Sequence, residues 1–263
     1  MINESPADTN RSFGLLQLRG ADVHKFLQGQ LSNDMSLLAA ERFTLAGYHN
    51  PQGRVLALLR LCAPEPDQVL ALLPAELAEP TMTELRRFVL RAKVTISQET
   101  SAAAIAAMAR QWPALASLLD PSAHALEVAA GIPQVYGATR AMFVSQMLNL
   151  DCIEAISFTK GCYTGQEIIA RAHYRGRIKR RMQRFLTESI RELSPGQGVT
   201  LNDGRAAQVV DTIRRADGRR EFLAVTTLPA HIAPVDQATP APSQQSSQTL
   251  ACSPLPLPYA LPE

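Results

Sequence analysis

The chain of 263 residues lacks several features that mark common protein classes. Its four cysteines are far apart and form no Cys-x-x-Cys pair, so their spacing suggests neither a zinc site nor a set of cluster ligands. No run approaches the roughly 18 apolar residues that a membrane span needs. Residues 1–12 are polar and lack the basic start and apolar core of a signal peptide. We therefore expect a cytoplasmic protein with reduced thiols, no metal site and no membrane association.

The charge balance also points to no particular partner. The formal net charge is +2, and the sequence has no internal repeat. With 46% hydrophobic and 19% charged residues, the chain can bury a substantial core. Its length fits one large domain or two modest ones.

The first half of the sequence alternates strand-like and helix-like patterns. Residues 13–19 read as a strand, and apolar residues then recur at helical spacing over 23–31. A strong turn signal, Asn50-Pro51-Gln52-Gly53, precedes an apolar run that predicts a buried strand. The capping-box spacing of Thr81 and Glu84 predicts the start of a helix. The strands expected after the turn are 55–61, 69–73 and 93–97.

The character of the sequence changes in the second half. Residues 101–119 are rich in Ala and Leu and predict a helix that Pro113 breaks or kinks. Three β-like stretches with glycine-containing turns then indicate a small β unit. These stretches are 184–187, 207–213 and 221–227.

These patterns divide the chain into two domains. We assign residues 12–182 to the larger body and residues 183–263 to a small β domain. Within the latter, 233–250 is rich in Pro, Gln and Ser and is predicted to be flexible. The apolar stretch 255–261 is expected to dock back onto the protein.

The most specific segment of the sequence runs from Lys160 to Glu167 and reads Lys-Gly-Cys-Tyr-Thr-Gly-Gln-Glu. Thr164 and Glu167 have capping-box spacing, so we expect a helix with Thr164 as its N-cap. Cys162 would then lie near the positive end of the helix dipole, with Lys160 close by. Both effects favour the thiolate, which makes Cys162 the candidate nucleophile or redox group and Lys160 a second catalytic candidate.

An alternative is that Cys162 only fills space beneath a tight turn, because unpaired cysteines are commonly small buried hydrophobes. A buried thiol in apolar surroundings would be inert, so the functional interpretation depends on exposure. Cys62 and Cys152 are assigned structural roles.

A basic cluster follows the motif, with His173 and Tyr174 between its charges. It could bind phosphate groups of nucleic acid or the carboxylates of a polyglutamylated folate, or it could be a solvated turn. Its first residue, Arg171, is spaced for an ion pair along the helix with Glu167 of the motif. The basic residues are Arg171, Arg175, Arg177, Lys179, Arg180, Arg181 and Arg184.

The motif, followed by Ala170-Arg171-Ala172 and Arg175-Gly176, resembles the signature of the YgfZ-type family. Shorter matches lie along most of the chain: Gly20-Ala21-Asp22, residues 26–30 (Phe-Leu-Gln-Gly-Gln), Asn33-Asp34, residues 51–54 (Pro-Gln-Gly-Arg), residues 130–133 (Ala-Gly-Ile-Pro), Asn149-Leu150 and Leu257-Pro258-Tyr259.

That resemblance implies an α+β fold related to the T-protein of the glycine cleavage system, an aminomethyltransferase, with a folate-binding body and a small C-terminal β-barrel. It implies tetrahydrofolate or a related folate as the cofactor, and iron-sulfur enzymes or cluster-assembly proteins as partners. On matching positions, we assign folate contacts to Phe13, Gln30, Asn149, Tyr163, Glu167 and Arg171.

The chain departs from the related aminomethyltransferases at positions that matter for their chemistry. Their catalytic aspartate follows the Gly-rich turn, where residues 53–58 here contain no carboxylate. A second pterin-contacting carboxylate falls at Ala129, and an aromatic of longer members falls at Ala123. Aminomethyl transfer is therefore not expected. Between Ile96 and Gly131 the chain is also shorter than longer members, which predicts a shortened lobe.

Three functions follow as hypotheses. The first is a folate-binding accessory protein for iron-sulfur cluster assembly or repair, which indirectly supports tRNA modification by an iron-sulfur enzyme. The second is a tetrahydrofolate-dependent one-carbon transferase. The third is a tRNA-binding module that uses the basic cluster.

Overall fold

The computed structural model describes residues 12–176, 178–190, 192–228 and 249–262. Within them, no helix is long and apolar enough to cross a membrane. The helices are α1 Val23–Gln28, α2 Ala75–Arg86, α3 Ala102–Ala109, α4 Pro113–Leu119, α5 Ala123–Ala129 and α6 Gln166–Arg175. The strands are β1 Phe13–Arg19, β2 Thr44–His49, β3 Val55–Glu65, β4 Gln68–Pro74, β5 Thr95–Glu99, β6 Arg180–Thr187, β7 Gly198–Leu201, β8 Ala206–Arg214, β9 Arg220–Thr227, β10 Thr249–Leu250 and β11 Ser253–Leu255.

The body of the protein is built on an antiparallel sheet in the order β2-β3-β4-β1-β5. Alternate residues of a strand face opposite sides of a sheet. Leu15 accordingly packs in a cluster with α3 and α4, while Leu16 and Leu18 belong to the main core on the other side. This double burial explains why β3 and β4 are almost continuously apolar.

The predicted start of α2 is wrong. The helix begins at Ala75 instead of near Thr81, and Pro80 lies inside it. The hydroxyl of Thr81 is buried without a hydrogen-bond partner among the described residues, so it caps nothing. Leu77, Met82 and Leu85 form a buried stripe on the main core, and this packing sets the extent of the helix.

The predicted break at Pro113 is confirmed, because Pro113 is the first residue of α4. The next helix, α5, is held to the sheet by buried polar groups. Arg60 donates to the carboxylate of Glu127 at 2.6 Å and also to the amide oxygen of Gln134. The helical region 102–129 therefore covers part of the sheet.

The second sheet has the order β10-β7-β8-β9-β6-β11 and curls into a half-barrel. It confirms the three predicted β stretches and adds β7, β10 and β11. Its inner residues form a separate cluster around Phe185 and Phe222, whereas Met182 and Val225 extend the core of the body. The two sheets are therefore joined by a shared apolar interior.

The end of the chain returns to the body. The Tyr259 hydroxyl donates to the Gly131 carbonyl at 2.8 Å, and the Asn149 side chain lies 3.2 Å from the same hydroxyl. Most of the predicted flexible segment lies outside the described residues, but its last two residues form β10. The docking of the final apolar stretch is confirmed.

Candidate functional site

The loop that carries Cys162 is fixed to the body by Lys160. The Lys160 side chain is buried, and its ammonium donates to the carbonyl oxygens of Leu31 at 2.7 Å and Asn33 at 2.6 Å. Burial lowers the pKa of Lys160 to about 8, although the nearby Asp34 carboxylate acts in the opposite direction. The ammonium therefore connects the Cys162 loop to the segment that contains Leu31 and Asn33, more than a hundred residues earlier in the sequence.

Tyr163 forms the second anchor of this loop. Its ring is buried, lies 5.2 Å from the Lys160 ammonium nitrogen and 6.2 Å from the His49 ring. Burial raises the pKa of its hydroxyl well above the ordinary value. Cys162, between these anchors, is exposed. The structure therefore meets the condition for the proposed reactivity of Cys162, which is exposure of its thiol.

Cys162 differs in this respect from the other three cysteines. Cys62 and Cys252 are buried, and Cys152 is half-buried beside the Asp151 carboxylate. Burial raises the pKa of both Cys62 and Cys152 to about 11. These values favour the unreactive thiol and agree with the structural roles assigned to Cys62 and Cys152.

The predicted cap of the motif helix is wrong. The helix α6 begins at Gln166, and its N-cap is Gly165, which makes no side-chain capping hydrogen bond. Gly165 has φ +82°, and a β-carbon there would lie 2.6 Å from the Asn50 carbonyl oxygen. Close packing of the motif on the turn that begins at Asn50 therefore decides where the helix starts. The predicted ion pair between Glu167 and Arg171 is confirmed at 3.5 Å, with both side chains exposed.

The residues assigned to folate binding do not all have free polar groups. The Oε1 atom of Gln30 is buried and has no hydrogen-bond partner among the described residues. The amide nitrogen of Asn149 donates to the Met182 carbonyl at 2.9 Å, and its oxygen accepts from Arg181. Phe13 packs against the apolar cluster beside α3 and α4. Gln30 is therefore the assigned residue with an available buried acceptor.

A buried polar pair behind the motif was not anticipated from the sequence. The ring nitrogen Nε2 of His49 lies 2.6 Å from the Ser145 hydroxyl, and both residues are buried. Burial lowers the pKa of His49 to about 3, so the imidazole is neutral at physiological pH. The Tyr163 ring lies 6.2 Å from the His49 ring, which places this pair beside the Cys162 loop. No local pattern around His49 indicates Ser145 as its partner.

The predicted basic cluster is not a single surface. Arg181 forms a buried bidentate ion pair with Asp151, both contacts at 2.9 Å, and Arg184 pairs with Glu221 at 2.6 Å. Arg171, Arg175, Lys179 and Arg180 are exposed, while Arg177 lies outside the described residues. The part of the cluster on and just after α6 is therefore available to a ligand.

A cavity of about 510 Å³ lies between the start of β2 and residues 153–159. Its lining includes Leu45, Ile153 and Phe158, with Arg42 and Ser157 as polar members. The backbone of Asn33 in its wall accepts a hydrogen bond from Lys160. None of the six assigned folate contacts belongs to the described lining. Across the described residues, no group of three or more His, Cys, Asp or Glu side chains is arranged to hold a metal ion.

The role of Lys160 can be tested by replacement with methionine. We expect a loss of about 3 kcal/mol in the free energy of unfolding, because two buried carbonyls lose a charged donor, partly offset by removal of the buried charge. The folded pKa of about 8 lies below the ordinary 10.5, so the unfolded chain binds more protons between these values. The free energy of unfolding of the wild type should therefore rise between about pH 8 and about pH 10.5 because of Lys160. Lys160→Met should not show this rise.

Urea unfolding at about pH 7 and about pH 9.5 measures both effects. Lys25→Met, at an exposed position of α1, is the control and should change stability little. Equal stability of Lys160→Met and wild type at both pH values would contradict the anchoring role.

The five-stranded sheet covered on both faces and the half-barrel after it define an aminomethyltransferase-like α+β fold. The glycine cleavage system aminomethyltransferase T from Bartonella henselae is similar in structure, with a TM-score of 0.60 over 84% of this chain and 77% of that chain. Sequence identity is 15%, so this similarity shows the fold alone. The predicted fold class is confirmed, and the shortened lobe stays a prediction.

In sequence, the chain is homologous to the tRNA-modifying protein YgfZ of Escherichia coli K12. The two are 26% identical over 264 aligned residues, which cover 79% of this chain and 81% of the relative. An uncharacterized protein of Haemophilus influenzae is 29% identical over 224 residues, covering 72% of this chain and 76% of that protein. No protein-family model matches the chain. The resemblance to YgfZ predicted from the motif is confirmed.

Proposed function

We propose that this chain is a folate-binding accessory protein for the assembly or repair of iron-sulfur clusters. In this role it supports tRNA modification indirectly, through an iron-sulfur enzyme, and Cys162 is its reactive group. The observation that carries the proposal is the exposed Cys162 thiol on a loop anchored by Lys160 and Tyr163. The homology to a tRNA-modifying protein supports the same role.

Gln30 and Arg171 are the best candidates for holding a folate. The planar pterin ring carries N–H donors, and the unpartnered buried Oε1 of Gln30 is an acceptor suited to one of them. The exposed Arg171 guanidinium, paired only loosely with Glu167, is available to a folate carboxylate. Asn149 uses its side chain within the protein, so we now give it a structural role. A reduced folate supplies one-carbon groups when bound.

The residues that follow the turn at Asn50 disfavour the transferase alternative, because they include no carboxylate. Arg54 occupies the segment where the related enzymes carry their catalytic aspartate, and its guanidinium donates to the Met142 carbonyl at 2.8 Å. The following residues, Leu56 to Leu58, are buried and apolar. No side chain of this segment can act as a general acid or base. Release of a one-carbon unit from a folate adduct would revive the alternative.

Folate binding is tested by titrating the full chain with tetrahydrofolate. We expect saturable binding to the wild type and at least tenfold weaker binding to Gln30→Leu, because the pterin donor loses its buried acceptor. Gln111→Leu, at an exposed position just after α3, is the control and should bind as the wild type does. Absence of wild-type binding would reject the folate part of the proposal, and equal binding by Gln30→Leu would reject Gln30 as a contact.

A further inference from the structure

Three aromatic rings form a cluster on the surface beside α6. Phe158 and His173 are stacked, with ring centroids 3.8 Å apart and planes 16° apart. Tyr174 meets both rings edge-on, at 6.2 Å from Phe158 and 4.8 Å from His173. Phe158 is partly buried against the main core, while Tyr174 is 69% exposed. The core thus fixes the base of the cluster, and most of the Tyr174 side chain is open to a ligand.

Positive charge lies on and just after α6, the helix that carries His173 and Tyr174. Arg171 lies three residues before Tyr174 and four before Arg175 on α6, so it neighbours both side chains on the helix surface. Lys179 and Arg180 follow the helix and are exposed, and the Arg180 guanidinium donates a long hydrogen bond to the Val225 carbonyl at 3.4 Å. Among the described residues, no carboxylate lies within ion-pair distance of Arg175, Lys179 or Arg180. The surface therefore combines exposed rings with cations that have no acidic partner there.

The cavity of about 510 Å³ adjoins the same cluster, because Phe158 belongs to both. Arg42 in the cavity lining is exposed and donates only a long hydrogen bond to the Leu37 carbonyl, at 3.3 Å. The hydroxyls of Ser157 and Thr159 flank Phe158 and also line the cavity. A volume of this size lies within the range of small-ligand sites.

We propose that this basic aromatic surface, formed by Phe158, His173 and Tyr174 with Arg175, Lys179 and Arg180, binds single-stranded RNA. Unstacked bases bind to aromatic rings, and phosphates bind to Arg and Lys side chains that have no acidic partner. The two features together match the two parts of an unpaired nucleotide. The hydroxyls of Ser157 and Thr159 lie 3.3 Å apart beside Phe158 and can also bond to a ribose 2′-hydroxyl, a contact that would favour RNA over DNA. An acidic protein surface could pair with the cations. It would offer no planar group to stack on the exposed ring of Tyr174.

This surface goes beyond the folate-dependent role and does not require it. It uses neither Cys162 nor Gln30, and Tyr174 is not among the folate contacts. The two functions can therefore fail separately in experiments on the same variants.

Binding is measured with the full chain and a fluorescent RNA hairpin that has an unpaired loop. We expect Tyr174→Ala to weaken binding by about tenfold or more through loss of base stacking. Arg175→Ala should weaken it and reduce the slope of log affinity against log salt by about one. Phe88→Ala and Arg87→Ala, an exposed ring and an exposed charge at the end of α2, are matched controls that should bind as the wild type does.

Further ligands and a folate titration separate the possible outcomes. A hairpin with abasic loop positions should bind as weakly as Tyr174→Ala binds the intact hairpin, and tetrahydrofolate binding should be unchanged in Tyr174→Ala. No binding of the hairpin by wild type, or equal binding by Tyr174→Ala, would overturn the proposal. Equal affinity for DNA of the same sequence would overturn the assignment to RNA. Circular dichroism of each variant checks that the fold is retained.

Discussion

Replacement of Cys162 by serine is expected to abolish the ability of this protein to restore iron-sulfur enzyme activity in a bacterial strain whose own YgfZ gene is deleted. Serine keeps the size and polarity of the side chain but removes the thiolate, which is the reactive form of cysteine. Because Cys162 is exposed, the substitution should change the free energy of unfolding by less than about 0.5 kcal/mol. Enzyme activity in the strain should then fall to the level of the empty vector.

Cys152→Ser is the matched control for this experiment. Cys152 is half-buried, and burial raises the pKa of its thiol to about 11, so its replacement should leave rescue intact if the variant folds. Thermal unfolding of both variants separates loss of function from loss of fold. Full rescue by Cys162→Ser would remove the thiol from the mechanism, while folate binding would remain a separate question.

Local patterns predicted three of the five strands of the body, β1, β3 and β4. The strand β5 lies at Thr95–Glu99 instead of the predicted 93–97, and β2 was not predicted. The strand β1 begins and ends where the sequence pattern placed it, and β3 and β4 contain the predicted apolar runs. These segments are buried on both faces of the sheet, so their continuous hydrophobicity has a simple physical origin. The half-barrel strands β8 and β9 were predicted equally well, because turns that contain glycine lie at their ends.

Helix starts were predicted less well, and for one physical reason. Thr81 and Thr164 both have the spacing of a capping box, but neither caps a helix in the structure. At α2, burial of an apolar stripe extends the helix toward its N-terminus. At α6, the close approach of Gly165 to the Asn50 carbonyl fixes the start. In both cases tertiary packing outweighed a local signal worth about 1 kcal/mol.

The candidate site was only partly accessible from the sequence. The motif identified Cys162, and the structure places it in an exposed position. The anchors of its loop depend on residues distant in sequence: Lys160 binds carbonyls near residue 32, and Tyr163 lies against His49. Such contacts have no local pattern, and they become visible only when the sheet brings β2 beside the motif.

His49 is expected to make the protein sensitive to acid. Burial lowers the pKa of His49 to about 3, partly opposed by a hydrogen bond with the Gly47 backbone, whereas the ordinary value is 6.5. Between these values the unfolded chain binds a proton at this site and the folded chain does not. The free energy of unfolding should therefore fall by about 1.4 kcal/mol for each pH unit below 6.5, up to about 5 kcal/mol in total. This loss is comparable with the whole stability of many domains.

Urea unfolding at a series of pH values between about 7 and 4 measures this dependence for wild type and His49→Gln. Glutamine retains a group that can bond to the Ser145 hydroxyl but does not titrate, so the variant should be less stable near neutral pH and show a shallower decline in acid. Both proteins share the same carboxylates, so the difference between their curves isolates the histidine. Parallel curves for wild type and His49→Gln would mean that His49 takes up its proton in the folded state as readily as in the unfolded one. The pair with Ser145 would then have to open in mild acid, and the Tyr163 anchor of the Cys162 loop would loosen with it.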